Sequence, residues 1–399
     1  MHKLTVKDIE VKGKRVFVRV DFNVPLDAQH QVTDDTRIRA ALPTIQYLRE
    51  QGAKIILASH LGRPKGAPEA KYSLLPVAMR LSDLLGFEVP LLPDCVGEAV
   101  EARVESMLPQ EVVLLENLRF HGDEEKNTPE FAASLARLAD IYVNDAFGAA
   151  HRAHASISGI GSLLKPAVAG FLLSKELDFL GSALENPRRP FVAVLGGAKV
   201  SDKIKVIENL LSKVDGLIIG GGMANTFLKA KGYDVGLSLF EPAQVELASE
   251  LLDLAERSKV TVHLPLDVVI ANSIKDEEGE IVGLGDVLAD KMIVDVGPET
   301  SDHFAAVISE ARFVVWNGPM GVFENPAFSV GTFRLAKAMA QSTAVTIVGG
   351  GDSAAAVEQS GLASDMTHIS TGGGASLEFL EGKPLPGVEV LTDKLGKGE

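Results

Sequence analysis

Short, uninterrupted runs of apolar and β-branched residues recur along this chain, and the stretches between them are long enough to be helices. VFVRVDFN, KIILASH, EVVLLENLRF and DIYVNDAFG fall in the first half, and FVAVLGGAK, GLIIGGGMAN, VTVHLPLDVV, RFVVWNGPMG, AVTIVGGGDS and THISTGGGAS in the second. A run that is apolar at every position suits a strand covered on both faces rather than one with a wet side. Strands that alternate with helix-length segments pair in parallel, because a parallel pair needs a long crossover. The expected fold class is therefore α/β with mostly parallel sheets flanked by helices.

With 399 residues, the chain is long for one core, so two domains are expected. The residue types at the strand ends change between the halves. Early strands end in Arg, His, Asn and Asp; late ones end in Gly, often doubled or tripled. Parallel sheets bind ligands just beyond the carboxyl ends of their strands. The contrast thus predicts two sites, one lined by cationic side chains and one by backbone N–H groups. The change falls within GFLLSKELDFLGSALENPRRP, read as one helix ending at Asn186-Pro187. The expected division is residues 1–173, a connecting helix at 174–188, and a second domain at 189–387.

A net charge of −15 argues against a nucleic-acid or anionic-membrane binder, both of which need a basic surface. Any bound anion must be held by a local basic site. The single cysteine, Cys95, allows no disulfide within the chain and fits a reducing compartment. MHKLTVKDIE lacks the apolar core of a secretory signal, and no stretch approaches the ~18 apolar residues of a membrane span. A soluble, cytoplasmic protein is expected.

The cationic half offers Arg37 in VTDDTRIRAAL, His60 and Arg63 in ASHLGRPKG, Arg119 in LLENLRF and Arg152 in NDAFGAAHRAHAS. Thr33 or Asp34 could cap a helix here, and Arg37 and Arg39 could simply pair with Asp34 and Asp35 on a wet face. Four arginines and a histidine at the ends of neighbouring strands outweigh that reading. Guanidinium groups grip carboxylate and phosphate bidentately, so the set fits a small polyanion. Asp21 and Asn23 in RVDFNVP could hold a hydroxyl. His151 and His154 stand at i, i+3, but no carboxylate pattern completes a zinc site around them.

The glycine half contains no G-x-x-x-x-G-K-[ST] and no clean G-x-G-x-x-G after a strand. Its turns GGAK, GGGMAN, GGGDS and GGGAS can still work by the same physics. Bare backbone lets a phosphate approach, and the following helix N-terminus supplies donors. Lys199 and Lys203 would share a face if their segment were helical, and such cations at a helix head ask for an anion. Asp352 could be the N-cap of the helix SAAAVEQ or a ligand to Mg2+, which takes one or two carboxylates plus phosphate oxygens. Glu324 in WNGPMGVFE is a candidate for a ribose diol.

Taken together, VRVDFNVP, TDDTRI, ASHLGRPKG, LLENLRF, NDAFG, AHRAHAS, GGAKVSDKI, IGGGMANTF, WNGPMGVFE, GGGDSAA and STGGGASLEFLEGK closely resemble the phosphoglycerate kinase family of the bacterial type, in the family's order and over essentially the whole chain. The resemblance implies two Rossmann-like domains around a cleft, with a C-terminal tail at about 388–399 returning to the N-terminal domain. It implies that Asp21, Asn23, Arg37, His60, Arg63, Arg119 and Arg152 hold 3-phosphoglycerate or 1,3-bisphosphoglycerate. Gly197, Lys203, Gly221, Asn317, Glu324, Gly350, Gly351, Asp352 and Ser353 would hold ADP or ATP, with Asp352 on Mg2+. Arg37, Lys199, Lys203, Gly373 and Gly374 would serve the phosphoryl group in transit. Where the family commonly has Thr after DAFG, this chain has Ala149.

The implied reaction is reversible phosphoryl transfer between a carboxyl-phosphate and ADP, in glycolysis and gluconeogenesis, by a monomer whose domains close on a hinge. Both oxygens that exchange the phosphoryl group are ionised at neutral pH, so no general base is required, and positioning and charge stabilisation remain. An oxidoreductase would need a dinucleotide fingerprint with an acidic partner about 20 residues on, which is missing. A non-catalytic anion-binding protein would leave the second, glycine-rich site unexplained.

Overall fold

The structure, a computed structural model, describes residues 3–394. Two compact units divide the chain. One runs up to Asp178 and resumes at Pro384; the other is Phe179–Lys383.

In the first unit, β1 (Arg15–Val20), β2 (Lys54–Ala58), β3 (Val112–Leu114), β4 (Ile141–Asp145) and β5 (Ala167–Ala169) form one sheet in the order β3-β2-β1-β4-β5. Every pairing is parallel, with Val16 beside both Ile55 and Ile141. The strands are buried almost throughout, as their unbroken apolar runs required. Val16, Val18, Ile38, Ile45, Ile55 and Leu57 anchor the core under the helix Thr36–Glu50. Chain order reverses between β1 and β4, which opens a crevice at their carboxyl ends. The segment after Pro384 is tied to this unit: Asn144 Nδ2 donates to Gly387 O (2.8 Å), Gly387 N to Ala150 O (2.8 Å) and Thr392 N to Ala167 O (2.8 Å). The expected tail continues over 395–399, outside the described residues.

In the second unit, β6 (Phe191–Leu195), β7 (Gly216–Ile219), β8 (Thr261–His263), β12 (Phe313–Asn317), β13 (Val345–Gly349) and β14 (His368–Ile369) pair in parallel in the order β14-β13-β12-β6-β7-β8. Here the switch point lies between β6 and β12. A second sheet is antiparallel: β9 (Asp267–Ala271) lies between β10 (Glu280–Gly283) and β11 (Met292–Val296). VTVHLPLDVV is therefore two strands in two sheets, broken where Pro265 removes a ladder donor. Trp316 is fully buried in the core, and its indole Nε1 donates to Gly318 O at 2.6 Å.

The helix expected at 174–188 runs over Phe171–Glu185. It stops there because Pro187 disfavours helical backbone at Asn186. It starts early because partners distant in sequence satisfy its first amides: Asp145 Oδ1 accepts from Leu172 N (2.9 Å) and Leu173 N (3.2 Å), and Thr44 Oγ1 accepts from Phe171 N (2.9 Å). By compactness the two units meet within this helix, after Asp178, and again after Lys383.

Candidate active site

At the carboxyl ends of β1 to β4, loops that leave a buried sheet bring polar side chains together. Arg37 is the second residue of its helix, and its Nη1 donates to Asp21 Oδ2 (3.0 Å) and to Asn23 O (3.3 Å). It does not pair with Asp34, which instead accepts from Thr36 N (2.8 Å). The helix N-cap is Asp35, not Thr33 or Asp34. Arg39 does pair with Asp35, as a surface ion pair would. Asn23 Oδ1 accepts from Gly62 N (2.8 Å), and Arg119 Nη1 donates to Gly62 O (2.9 Å), so the loops after β1, β2 and β3 are mutually hydrogen-bonded. Arg119 is 6% exposed, and its Nε makes no well-aligned hydrogen bond but lies 3.3 Å from Glu125 Oε1. Burial, then Arg152 and Arg19, lowers its pKa, while Glu125 opposes. Arg63 and Arg152 are exposed.

Beneath this cluster lies a floor that sequence inspection missed. Arg19 is fully buried within β1; its Nε donates to Ser156 Oγ (2.8 Å), and Nη1 donates to Val20 O. Ser156 Oγ in turn donates to Glu124 Oε1 (2.5 Å), and Ser156 N donates to Oε2 (2.9 Å). Burial raises the pKa of Glu124, with Arg19 opposing. Arg19 Nη2 lies 3.1 Å from His60 Nδ1. A guanidinium has donors only, so Nδ1 must accept and the ring proton must sit on Nε2. Burial, then the charges of Arg19 and Arg119, holds His60 well below the usual histidine range. His60 is thus a neutral imidazole in one tautomer, with Nε2–H as its donor. The one readable signal for this floor was an arginine inside an otherwise apolar strand.

His151 and His154 lie outside any helix, so they do not share a helical face. His154 stands 3.8 Å from Glu124 and is lowered to about 3 by burial and the neighbouring arginines. Ala149 is buried in a short helical turn, and its carbonyl accepts from Arg152 N (3.0 Å), which places Arg152 through backbone alone.

In the second unit the loops after β6 and β12 flank a cavity of about 270 Å3. Gly197, Gly221, Glu324 and Asp352 line its polar side, while Ile274 and Met292 lie among its apolar walls. Gly221 has φ +65°, and a Cβ there would stand 2.7 Å from Gly197 N and from Pro319 O, so only glycine fits. Lys199 and Lys203 do not share a helical face: the segment is a turn, and the helix begins at Ile204. An apolar stripe of Val206, Ile207, Leu210 and Leu211 fixes that helix from inside, leaving Lys203 as its N-cap residue. Lys203 Nζ donates to Gly196 O (2.7 Å); burial lowers its pKa, and Asp202 and Asp352 oppose. Lys199 is exposed.

Gly350, at φ +91°, is the N-cap of Gly351–Gln359. Asp352 is therefore the second residue of the helix rather than its cap, and its carboxylate is exposed at the cavity. Ser353 Oγ is committed inward, accepting from Gly318 N at 2.6 Å. Asn317 packs on the turn, its Nδ2 3.1 Å from where a Gly350 Cβ would lie. The other triple-glycine turn is adjacent: a Cβ on Gly373 would sit 3.7 Å from Gly351 N. Gly373 and Gly374 open the helix Gly373–Leu380, so two bare helix starts lie side by side after β13 and β14. An exposed carboxylate beside backbone donors and Lys203 fits a divalent cation that also takes phosphate oxygens.

Sequence inspection also missed Asp295, 2% exposed in the cavity wall. It accepts from Val296 N (2.9 Å) and Gly331 N (2.8 Å), and burial raises its pKa to about 7.

A family model described as phosphoglycerate kinase matches residues 6–383. The chain is 61% identical to the phosphoglycerate kinase of Moorella thermoacetica, over 99% of this chain and 100% of that one. It is 58% identical to that of Chloroflexus aurantiacus, over 98% and 100%. The solved structure of phosphoglycerate kinase from Coxiella burnetii superposes with a TM-score of 0.90 at 46% identity, covering 97% of this chain and 98% of that one. The structure from Pyrococcus horikoshii gives 0.81 at 35% identity, with the same coverage.

Proposed function

The chain belongs to the phosphoglycerate kinase family, glycolytic phosphotransferases with a carboxyl acceptor that use a nucleotide and a metal ion, and from that premise we propose how its own residues divide the work. The first unit binds 3-phosphoglycerate or 1,3-bisphosphoglycerate, and the second binds ADP or ATP with Mg2+. The observation that carries this reading is the pair of unlike switch points: guanidinium-rich loops beyond β1 to β4, and bare glycine turns with one carboxylate beyond β6, β12, β13 and β14.

The buried Arg119 and the exposed Arg63 and Arg152 grip the phosphate of the three-carbon acid. His60 donates Nε2–H to a substrate oxygen, and Asp21 and Asn23 face the hydroxyl. Arg37, Lys199 and the amides of Gly373 and Gly374 stabilise the phosphoryl group as it moves. Gly197, Gly221, Asn317, Gly350, Gly351 and Ser353 shape the nucleotide pocket. Glu324 takes the ribose, and Lys203 faces the phosphates. Asp352 would hold Mg2+, which neutralises phosphate charge. No residue acts as a general base, because both exchanging oxygens are already ionised.

Transfer requires the two bound substrates to meet, so the units close on each other during the cycle and exclude water. The enzyme works as a cytoplasmic monomer. The test is ATP consumption by the purified chain with 3-phosphoglycerate and Mg2+. Dependence on both is expected, and ATP turnover indifferent to 3-phosphoglycerate would overturn the assignment.

A further inference from the structure

The one cysteine of the chain is not isolated. Asp94, Cys95 and His121 each offer a ligand atom, and these atoms all lie within 4.8 Å of one another. Among the described residues this is the only group of three His, Cys, Asp or Glu side chains that converges in this way. We propose that Asp94, Cys95 and His121 form a binding site for a thiophilic divalent cation of the Zn2+ class.

Two separate chain segments supply the donors. Leu91 bridges to Leu114 at the edge of β3, which brings the following Asp94–Cys95 pair alongside the loop that leaves that strand. His121 follows the short helical turn Leu118–Phe120, and its ring lies 5.2 Å from that of Phe131. The donors are already partly organised. His121 Nε2 lies 2.7 Å from Asp94 Oδ1, and Cys95 N donates to the same oxygen at 2.6 Å.

The set is mixed in the way a transition-metal site is. The sulfur is buried, while the His121 and Asp94 side chains are 31% and 46% exposed, so one side of the triad is open to water. Three protein ligands and a solvent ligand complete a tetrahedron. Thiolate and imidazole select Zn2+ or Cd2+ and discriminate against Mg2+, which takes oxygen ligands. The site is thus chemically distinct from Asp352 and the glycine turns, and it stands whether or not the functional assignment does. Occupation would tie the Asp94–Cys95 segment to the loop two residues beyond Arg119. The thiol must give up its proton to bind, so affinity should rise with pH.

Because Cys95 is the sole thiol, a cadmium–thiolate charge-transfer band can arise from no other residue. The reduced, chelator-free full chain is titrated with Cd2+ alone and followed in the ultraviolet. The expected result is a band that saturates at one equivalent, persists in excess Mg2+ and is abolished in Cys95→Ser. Asp94→Asn and His121→Gln, both at partly exposed positions, should each weaken binding at least about tenfold while the far-ultraviolet circular dichroism is unchanged. Zn2+ should displace Cd2+ competitively. No band at stoichiometric metal would overturn the proposal. So would a band whose midpoint is the same in Asp94→Asn and His121→Gln, which would mean a thiol binding metal without the triad.

Discussion

Asp145 ends β4, is fully buried, and receives the first amides of the helix Phe171–Glu185 on Oδ1, while Oδ2 is buried with no partner. Burial raises its carboxyl to about 7, and the Thr44 hydroxyl, then the amides of Leu173 and Leu172, act against the shift. An unfolded aspartate ionises near 3.9, so between those values the folded chain holds a proton that the unfolded chain has released. Stability must then fall as pH rises through this window and level off above it. About three pH units at about 1.4 kcal/mol each set a ceiling of about 4 kcal/mol. About 1.5 kcal/mol of that is gone by pH 5, which leaves about 2–3 kcal/mol between pH 5 and 8.5.

Asp145→Asn retains the accepting oxygen and removes the charge. Its amide replaces an oxygen that has no partner, at a cost of ~1–3 kcal/mol that does not depend on pH. The variant should therefore start below wild type at pH 5 and gain on it by about 2–3 kcal/mol by pH 8.5. Asp295, also raised to about 7, gives both proteins the same slope and cancels in the difference. Trp316, the only tryptophan, reports on the second unit, so its fluorescence is the wrong probe. Native-state hydrogen exchange of the Leu172 and Leu173 amides reads the relevant opening directly. Parallel stability profiles for the two proteins from pH 5 to 8.5 would refute the reasoning.

Arg37→Ala should lower kcat by about 10²-fold in steady-state assay, the scale of losing one transition-state donor. A raised KM with kcat intact would reassign Arg37 to ground-state binding. Glu124→Gln removes the anion that Arg19 reaches through Ser156 and should cost ~3–5 kcal/mol in denaturant unfolding; a loss under about 1 kcal/mol would mean that the relay carries little. Gly221→Ala forces a left-handed alanine against backbone at 2.7 Å. Nucleotide KM should rise at least about tenfold while that for 3-phosphoglycerate stays put, on a strain of ~1–3 kcal/mol, and an unchanged nucleotide KM would show that the turn can yield. Asp352→Asn should raise the Mg2+ concentration needed for half-maximal rate at least about tenfold, as expected for a lost charged ligand; an unaltered Mg2+ dependence would remove Asp352 from the metal.

The parts of this molecule that could be read from its sequence are those that local pattern decides. An apolar run such as FVAVL can be buried only as a strand covered on both faces, and in a parallel sheet the residues after it stand at the ligand-binding edge. That rule, with the clustering of cations, made Arg37, His60, Arg119 and the glycine turns the candidates. It failed wherever a partner is chosen by strand order instead. Arg19 meets Ser156 across 137 positions because β1 and β4 are neighbours in the sheet, and nothing near either residue announces the other. Asp145 starts a helix 27 positions on for the same reason, so no N-cap signal precedes Phe171. In GGAKVSDKI the two lysines would share a face only if the segment were helical, but Lys203 turns back to Gly196 O and the helix waits for the first residues that can bury a stripe. In each case the misread residue is polar and its partner is remote. A buried polar group must find a partner somewhere, and the topology, rather than the neighbouring sequence, decides which one is within reach.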